Sequence, residues 1–186
     1  MTSFNTTVFA NINQGAGYYR SLDTIMLFVT HYLPYMMIVI VVAYMLWWYP
    51  RIYRTALGPL NRLTQAIEFG CSFATTFVLV QYIKLVIAYP RPFSVLPETV
   101  LLVPDQGGSS FPSMHTALTV CVAISVYVHH RRLGLLLFLF ALLVGISRMY
   151  VGVHYPIDVV VGALIGGGIA GLFHTLFARI AHHTDH

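Results

Sequence analysis

The sequence predicts an all-α fold: a polytopic membrane helical bundle of about five transmembrane helices, preceded by a short N-terminal interfacial helix. Three observations predict it. Of 186 residues, 58% are hydrophobic and 9% charged, with mean hydropathy +0.75. A soluble domain carries about a quarter charged residues to hold its surface in water, so lipid must be the main solvent here. The apolar residues also gather in long stretches separated by polar or basic breaks. Basic residues, finally, are divided unevenly between the two sides that such stretches create. One domain over residues 1–186 is expected from this size, with a motif-bearing core over about 66–177.

Taken in order, Thr2 to Gln14 places Phe4, Val8 and Ile12 at helical spacing, which predicts a short helix lying on the membrane surface. The residues before Tyr19 carry no positive n-region and do not read as a cleaved signal. Asn5-Thr6-Thr7 matches a glycosylation sequon and is read as a chance match. Spans are expected from Asp23 to Trp48, Ala66 to Tyr89, Ser113 to His130, Leu133 to Ser147 and Pro156 to Ala178. The third and fourth are short for a bilayer that asks for ~20 apolar residues. Snorkelling of the His129-His130-Arg131-Arg132 turn eases that mismatch. Trp47, Trp48, Tyr49 and Tyr53 read as an aromatic belt at one interface. Gly162, Gly166, Gly167, Gly168 and Gly171 let the last helix pack closely in lipid. Cys71 and Cys121 sit in apolar runs and read as small buried packing residues.

Five spans put Arg51, Arg54, Arg62, Arg131, Arg132 and Arg179 on one side, which the positive-inside rule assigns to the cytoplasm. The chain is therefore expected in the inner (plasma) membrane as a multi-pass protein, with its opposite face toward the periplasm or exterior. That face holds Arg20, Lys84, Arg91 and Arg148, and the last three need a separate explanation. The irregular stretch Pro90 to Pro112 lies there too, and a loop of that length inside a compact domain is usually functional or disordered.

Three clusters share this outer face: Lys84 with Arg91-Pro92, then Pro112-Ser113-Met114-His115, then Ser147-Arg148 with His154 and Asp158. Three cations on a small surface repel one another unless a polyanion sits between them. Arginine suits phosphate because its planar fork donates two hydrogen bonds at once. Ser113 is a good N-cap, and the free N–H groups of a helix start also favour phosphate, with Met114 contributing through its backbone. Phosphoryl transfer then needs an in-line nucleophile. Asp158 lies four residues after His154, so its carboxylate can hold one ring nitrogen protonated and leave the other to attack. His115 is placed to donate a proton to the leaving oxygen. No Asp, Glu and His grouping has metal-ligand spacing, so neither a metal nor another cofactor is expected.

These three motifs, in this order and with these internal spacings, resemble the type-2 phosphatidic acid phosphatase family over roughly Ala66 to Phe177. The resemblance implies that His154 forms a phosphohistidine oriented by Asp158. It implies that His115 is general acid to the leaving group and later activates water. Lys84, Arg91, Ser113 and Arg148, with the Met114 N–H, would hold the phosphoryl oxygens. The family usually has Gly where this chain has Met114, and its undecaprenyl-diphosphatase-like members often have Asp. The Met114 side chain is thus expected to face the leaving group. Leu22 to Thr30 looks like the first span of that undecaprenyl-diphosphatase-like branch. The implied reaction is metal-independent hydrolysis of a lipid phosphate or diphosphate, with undecaprenyl diphosphate the leading substrate. Phosphatidylglycerophosphate and phosphatidic acid are the alternatives. Lipid phosphotransfer to an alcohol is a further enzyme class, and an anion or lipid-binding transporter is the non-enzyme reading. The expected partners are the lipid substrate and membrane lipids, with no nucleic acid.

Four further readings concern polar residues outside the motifs. His129, His130, His182, His183 and His186 read as solvated. His31, just before Pro34, and His174 fall within spans, where ionisable residues lean functional. His31 is read as neutral and hydrogen-bonded. Glu68 is expected near the cytoplasmic interface, paired with a loop arginine.

Overall fold

The computed structural model describes residues 3–48, 58–104 and 107–184. Among them every regular element is helical. The helices are α1 (Ser3–Asn13), α2 (Arg20–His31), α3 (Leu33–Ala43), α4 (Gly58–Ile87), α5 (Pro92–Val95), α6 (Met114–Tyr127), α7 (Arg131–Tyr150) and α8 (Pro156–Thr184). Arg51, Arg54, Tyr49, Tyr53 and His186, and the side chains of Trp47, Trp48, Arg62, His182 and His183, lie outside the described residues and side chains.

Three helical stretches are long and apolar enough to cross a membrane: Leu63–Val95, Arg131–Tyr150 and Pro156–Ile180. The expected first span is not one helix. It breaks at Tyr32, and α2 and α3 meet at a 48° bend. Pro34, in the first turn of α3, lacks the N–H that would continue the ladder, and its ring crowds the carbonyl of Thr30 four residues back. Counted as one bent span, the pair is a fourth candidate. The stretch expected as a short fourth span is in fact a full 20 residues, because Arg131, Arg132 and Arg148 all lie within the helix.

The remaining apolar helix, α6, has 14 residues, so at 1.5 Å per residue it covers about 21 Å of a ~30 Å hydrocarbon core. Its length is not set by lipid, because protein surrounds it: α7 and α8 pack along it most extensively, then α4. Glycines permit the closest of these contacts: Gly134 of α7 against Tyr127 of α6, and two on α8. A Cβ on Gly162 would sit 2.6 Å from the Ser113 carbonyl oxygen, and one on Gly166 would collide with the Ala117 carbonyl. Gly168 and Gly171 face open space and play no such part. Cys121 is buried in α6 as expected, whereas Cys71 faces outward from α4.

The N-terminal helix forms, but it packs on the protein through a different face. Phe4 is 75% exposed, while Asn5, Phe9 and Asn13 are buried. Their spacing of four residues lines one stripe. Both asparagines satisfy backbone groups far along the chain. Asn13 Nδ2 donates to the carbonyls of Val100 (2.9 Å) and Tyr150 (2.8 Å), and its Oδ1 accepts from Val100 N (2.9 Å). Asn5 Oδ1 accepts from Ile157 N at 3.1 Å. That amide belongs to the first turn of α8, where no intrahelical acceptor exists. A buried, engaged Asn5 removes the sequon from consideration.

Candidate active site

One end of the bundle is built from the ends of α4, α6, α7 and α8 and the segment joining α5 to α6. Ser113 opens α6 in extended conformation (φ −71°, ψ 112°), and its hydroxyl accepts from Thr116 N. Its backbone N–H donates to the Asp158 carbonyl at 2.9 Å, which ties the start of α6 to the start of α8. The turn from α7 to α8 passes through Gly152 at φ +90°, where a Cβ would lie 2.6 Å from the Val100 carbonyl oxygen. This left-handed residue lets the chain reverse within five residues and sets His154 beside Asp158.

His154 is 2% exposed and Asp158 fully buried. His154 Nδ1 lies 3.4 Å from Asp158 Oδ2, and the same oxygen accepts from Tyr155 N at 2.8 Å. With Nδ1 turned to the carboxylate, Nε2 is the ring nitrogen left for other chemistry. Burial is the largest influence on His154, followed by the charges of Arg148, Lys84 and Arg91; a hydrogen bond to the Ser110 backbone works the other way. The net effect holds its pKa well below the ordinary histidine value, so the ring is neutral near pH 7.

The cations are held by the loop around them. Lys84 Nζ donates to the Ser109 carbonyl at 2.6 Å and to that of Ser110 at 3.3 Å. Arg91 Nε donates to the Gly107 carbonyl (3.0 Å), and its terminal nitrogen to the Val153 carbonyl (3.3 Å). The loop is itself pinned, with Ser110 N donating to the Tyr89 carbonyl (2.8 Å) and Tyr89 N to Ser109 Oγ (2.9 Å). Arg148 is 1% exposed and donates to Thr30 Oγ1 at 2.9 Å. His115, in the first turn of α6, lies within electrostatic reach of Arg148, His154, Lys84 and Arg91. Lys84, Arg91, Ser113, Met114, His115, Arg148, His154 and Asp158 therefore meet in one region, though they come from three separate stretches of chain.

An apolar groove leads away from this region. It is lined by Pro34 and Ile38 of α3, Phe73 of α4, and Met114, Leu118 and Val122 of α6, with His115 at its edge. Behind the histidine, Phe9 packs on Tyr155 (ring centroids 5.5 Å apart), and Tyr155 packs on Tyr89 (6.1 Å).

Sequence reasoning missed Thr30, Asn5 and Phe9. Thr30 follows the apolar run Ile25 to Val29 of a helix that also holds Ser21 and Thr24, so nothing local marked it. Asn5 has no local signal, since its partner lies 152 residues away. His31 is not in the groove; it is exposed, with Nδ1 3.0 Å from its own helix's Leu27 carbonyl.

A membrane-embedded helical bundle with a buried histidine–carboxylate pair among three cations defines a phosphate-handling membrane enzyme. Residues 65–181 match the model of the PAP2 superfamily, and the chain belongs to that family as a membrane lipid phosphatase. It is 31% identical to undecaprenyl-diphosphatase BcrC of Bacillus subtilis (strain 168) over 95% of this chain and 85% of that one. It is also 31% identical to the bacitracin transport permease protein BcrC of Bacillus licheniformis, over 89% of this chain and 76% of the relative. Among solved structures, LpxE of Aquifex aeolicus superposes with a TM-score of 0.76 at 28% identity, covering 93% of this chain and 96% of that one.

Proposed function

We propose that the protein hydrolyses an isoprenoid lipid diphosphate, undecaprenyl diphosphate foremost, to the lipid monophosphate and inorganic phosphate. The observation that carries this reading is the buried His154–Asp158 pair, ringed by Lys84, Arg91 and Arg148 at the mouth of an apolar groove. The cations take the oxygens of the terminal phosphoryl group, assisted by the Ser113 hydroxyl and the Met114 N–H. His154 Nε2 attacks the phosphorus in line, the bond from phosphorus to the bridging oxygen breaks, and His115 supplies that oxygen's proton. Asp158 keeps the proton on Nδ1 and stabilises the ring as it becomes positively charged. Water then attacks the phosphohistidine, giving a proton to His115, and inorganic phosphate leaves. No step draws on a metal: Lys84, Arg91 and Arg148 supply the positive charge that developing phosphoryl charge requires.

The groove between α3, α4 and α6 supports a lipid tail that stays in the bilayer while its headgroup reaches His154. The name of the Bacillus subtilis relative supports the diphosphate headgroup. Arg131, Arg132 and Arg179 lie toward the end of the bundle opposite His154, which supports a site facing the periplasm or exterior of the inner membrane. Purified protein presented with undecaprenyl diphosphate, phosphatidylglycerophosphate, phosphatidic acid and lipid A tests the assignment. Fastest phosphate release from the isoprenoid is expected. Equal or faster release from a glycerolipid would move the substrate to that class with the same catalytic residues. Loss of release in His154→Ala separates hydrolysis from a transport role.

A further inference from the structure

At the opposite end of the bundle, three ligating side chains from distant parts of the chain meet. Glu68 of α4 is 4% exposed. Its Oε2 lies 3.3 Å from His129 Nε2, at the turn between α6 and α7, and its Oε1 lies 3.2 Å from His174 Nδ1 on α8. The two rings stand edge to face, 5.3 Å apart at 85°. One ligand atom from each residue can be chosen so that all lie within 4.8 Å of one another. The arginines of the loop before α4, expected as partners of Glu68, lie outside the described residues and side chains; His129 is exposed, as expected, but its ring also meets Glu68.

We infer that Glu68, His129 and His174 form a zinc site. Two ligands bound to zinc at about 2.0–2.1 Å in tetrahedral geometry stand roughly 3.3–3.4 Å apart. The two nitrogen–oxygen separations, 3.3 and 3.2 Å, lie close to that edge but run to the two different carboxylate oxygens, so one ion is held by both oxygens or draws the two rings toward one of them. Two imidazoles and a carboxylate are also a donor set that zinc favours. Charge points the same way: a carboxylate buried in a membrane helix is costly unless positive charge sits beside it. A divalent ion compensates it. The histidine side chains are 25% and 34% exposed, which gives the ion a way in and water a fourth position. The cavity beside Glu68 and His129, walled by Met45, Phe69 and Val126, measures only about 10 Å³, room for about one water. Two nitrogen donors favour zinc over magnesium, which takes oxygen ligands. The ion would clasp α4, the α6–α7 turn and α8 together, sixteen residues along both long helices from Lys84 and Asp158, or about 24 Å from the reaction.

The test uses full-length protein in detergent without an affinity tag. His182, His183 and His186 are replaced by alanine so that the tail binds no metal. Chelator-stripped protein is given zinc, passed through a desalting column and analysed for metal. About one zinc per chain is expected, with a melting temperature raised by about 5 °C. Cobalt in its place should give the intense visible absorption of a four-coordinate ion. Glu68→Gln and His174→Ala should each lose the zinc and the thermal shift while hydrolysing lipid at the parent rate; His129→Asn replaces either one that fails to accumulate. Zinc retained equally by the variants, or no zinc on the parent, would overturn the site. The inference stands apart from the substrate assignment, since metal content is read without turnover.

Discussion

The two ends of α4 and α8 carry opposite charge problems. At one end Lys84, Arg91 and Arg148 gather with the carboxylate of Asp158, and among the described residues their positive charge dominates around His154. At the other, the buried carboxylate of Glu68 faces two imidazoles that carry no fixed charge. On the proposed readings the same pair of helices carries an anion-receiving site at one end and a cation-receiving site at the other. A histidine near a carboxylate does not by itself define a function. What surrounds the pair decides: fixed cations hold the His154 ring neutral, whereas at Glu68 two rings converge on one carboxylate.

The comparison is broken most severely by removing the nucleophile. His154→Ala should lower the hydrolysis rate by about 10⁴-fold or more, measured as phosphate release, with the detergent melting temperature little changed. Asp158→Asn should cost about 10³ to 10⁴-fold in kcat, because the amide favours the wrong tautomer of His154. Gly166→Leu attacks the scaffold between the two ends. Its side chain cannot fit against the Ala117 carbonyl, so α6 and α8 separate and a destabilisation of about 3 kcal/mol or more is expected in thermal unfolding. Asn5→Ala removes the cap on α8 just behind Asp158 and should cost about 1 kcal/mol of stability. The mildest effect is on acidification. His154 is held well below its ordinary value, and only the protonated ring is unable to attack. The acid limb of the kcat/KM profile of the free enzyme should therefore fall below the ordinary histidine value of about 6.5.

The two ends also differed in how far the sequence disclosed them. The phosphate end was legible because its groups sit in short motifs: Ser113-Met114-His115 spans one helix start, and Arg148, His154 and Asp158 frame one turn. Local spacing there carries the chemistry. The Glu68, His129 and His174 cluster has no such local trace, since Glu68 and His174 are 106 residues apart and meet only because α4 and α8 run side by side. The N-terminal helix shows the same limit. Its helical spacing was visible in Phe4, Val8 and Ile12, but its buried face is Asn5, Phe9 and Asn13, because backbone donors and acceptors of distant segments take up the asparagines. The break at Tyr32 was announced by Pro34, though hydropathy alone ran the first span straight through it.

Trapping the phosphorylated enzyme decides whether His154 acts covalently. Protein mixed with lipid diphosphate labelled in the terminal phosphate, and quenched in denaturant at alkaline pH, should carry label that survives base and is lost in acid. Peptide mapping should place that label on His154, and His154→Ala should carry none. Label stable to acid, or mapped to another residue, would contradict the account.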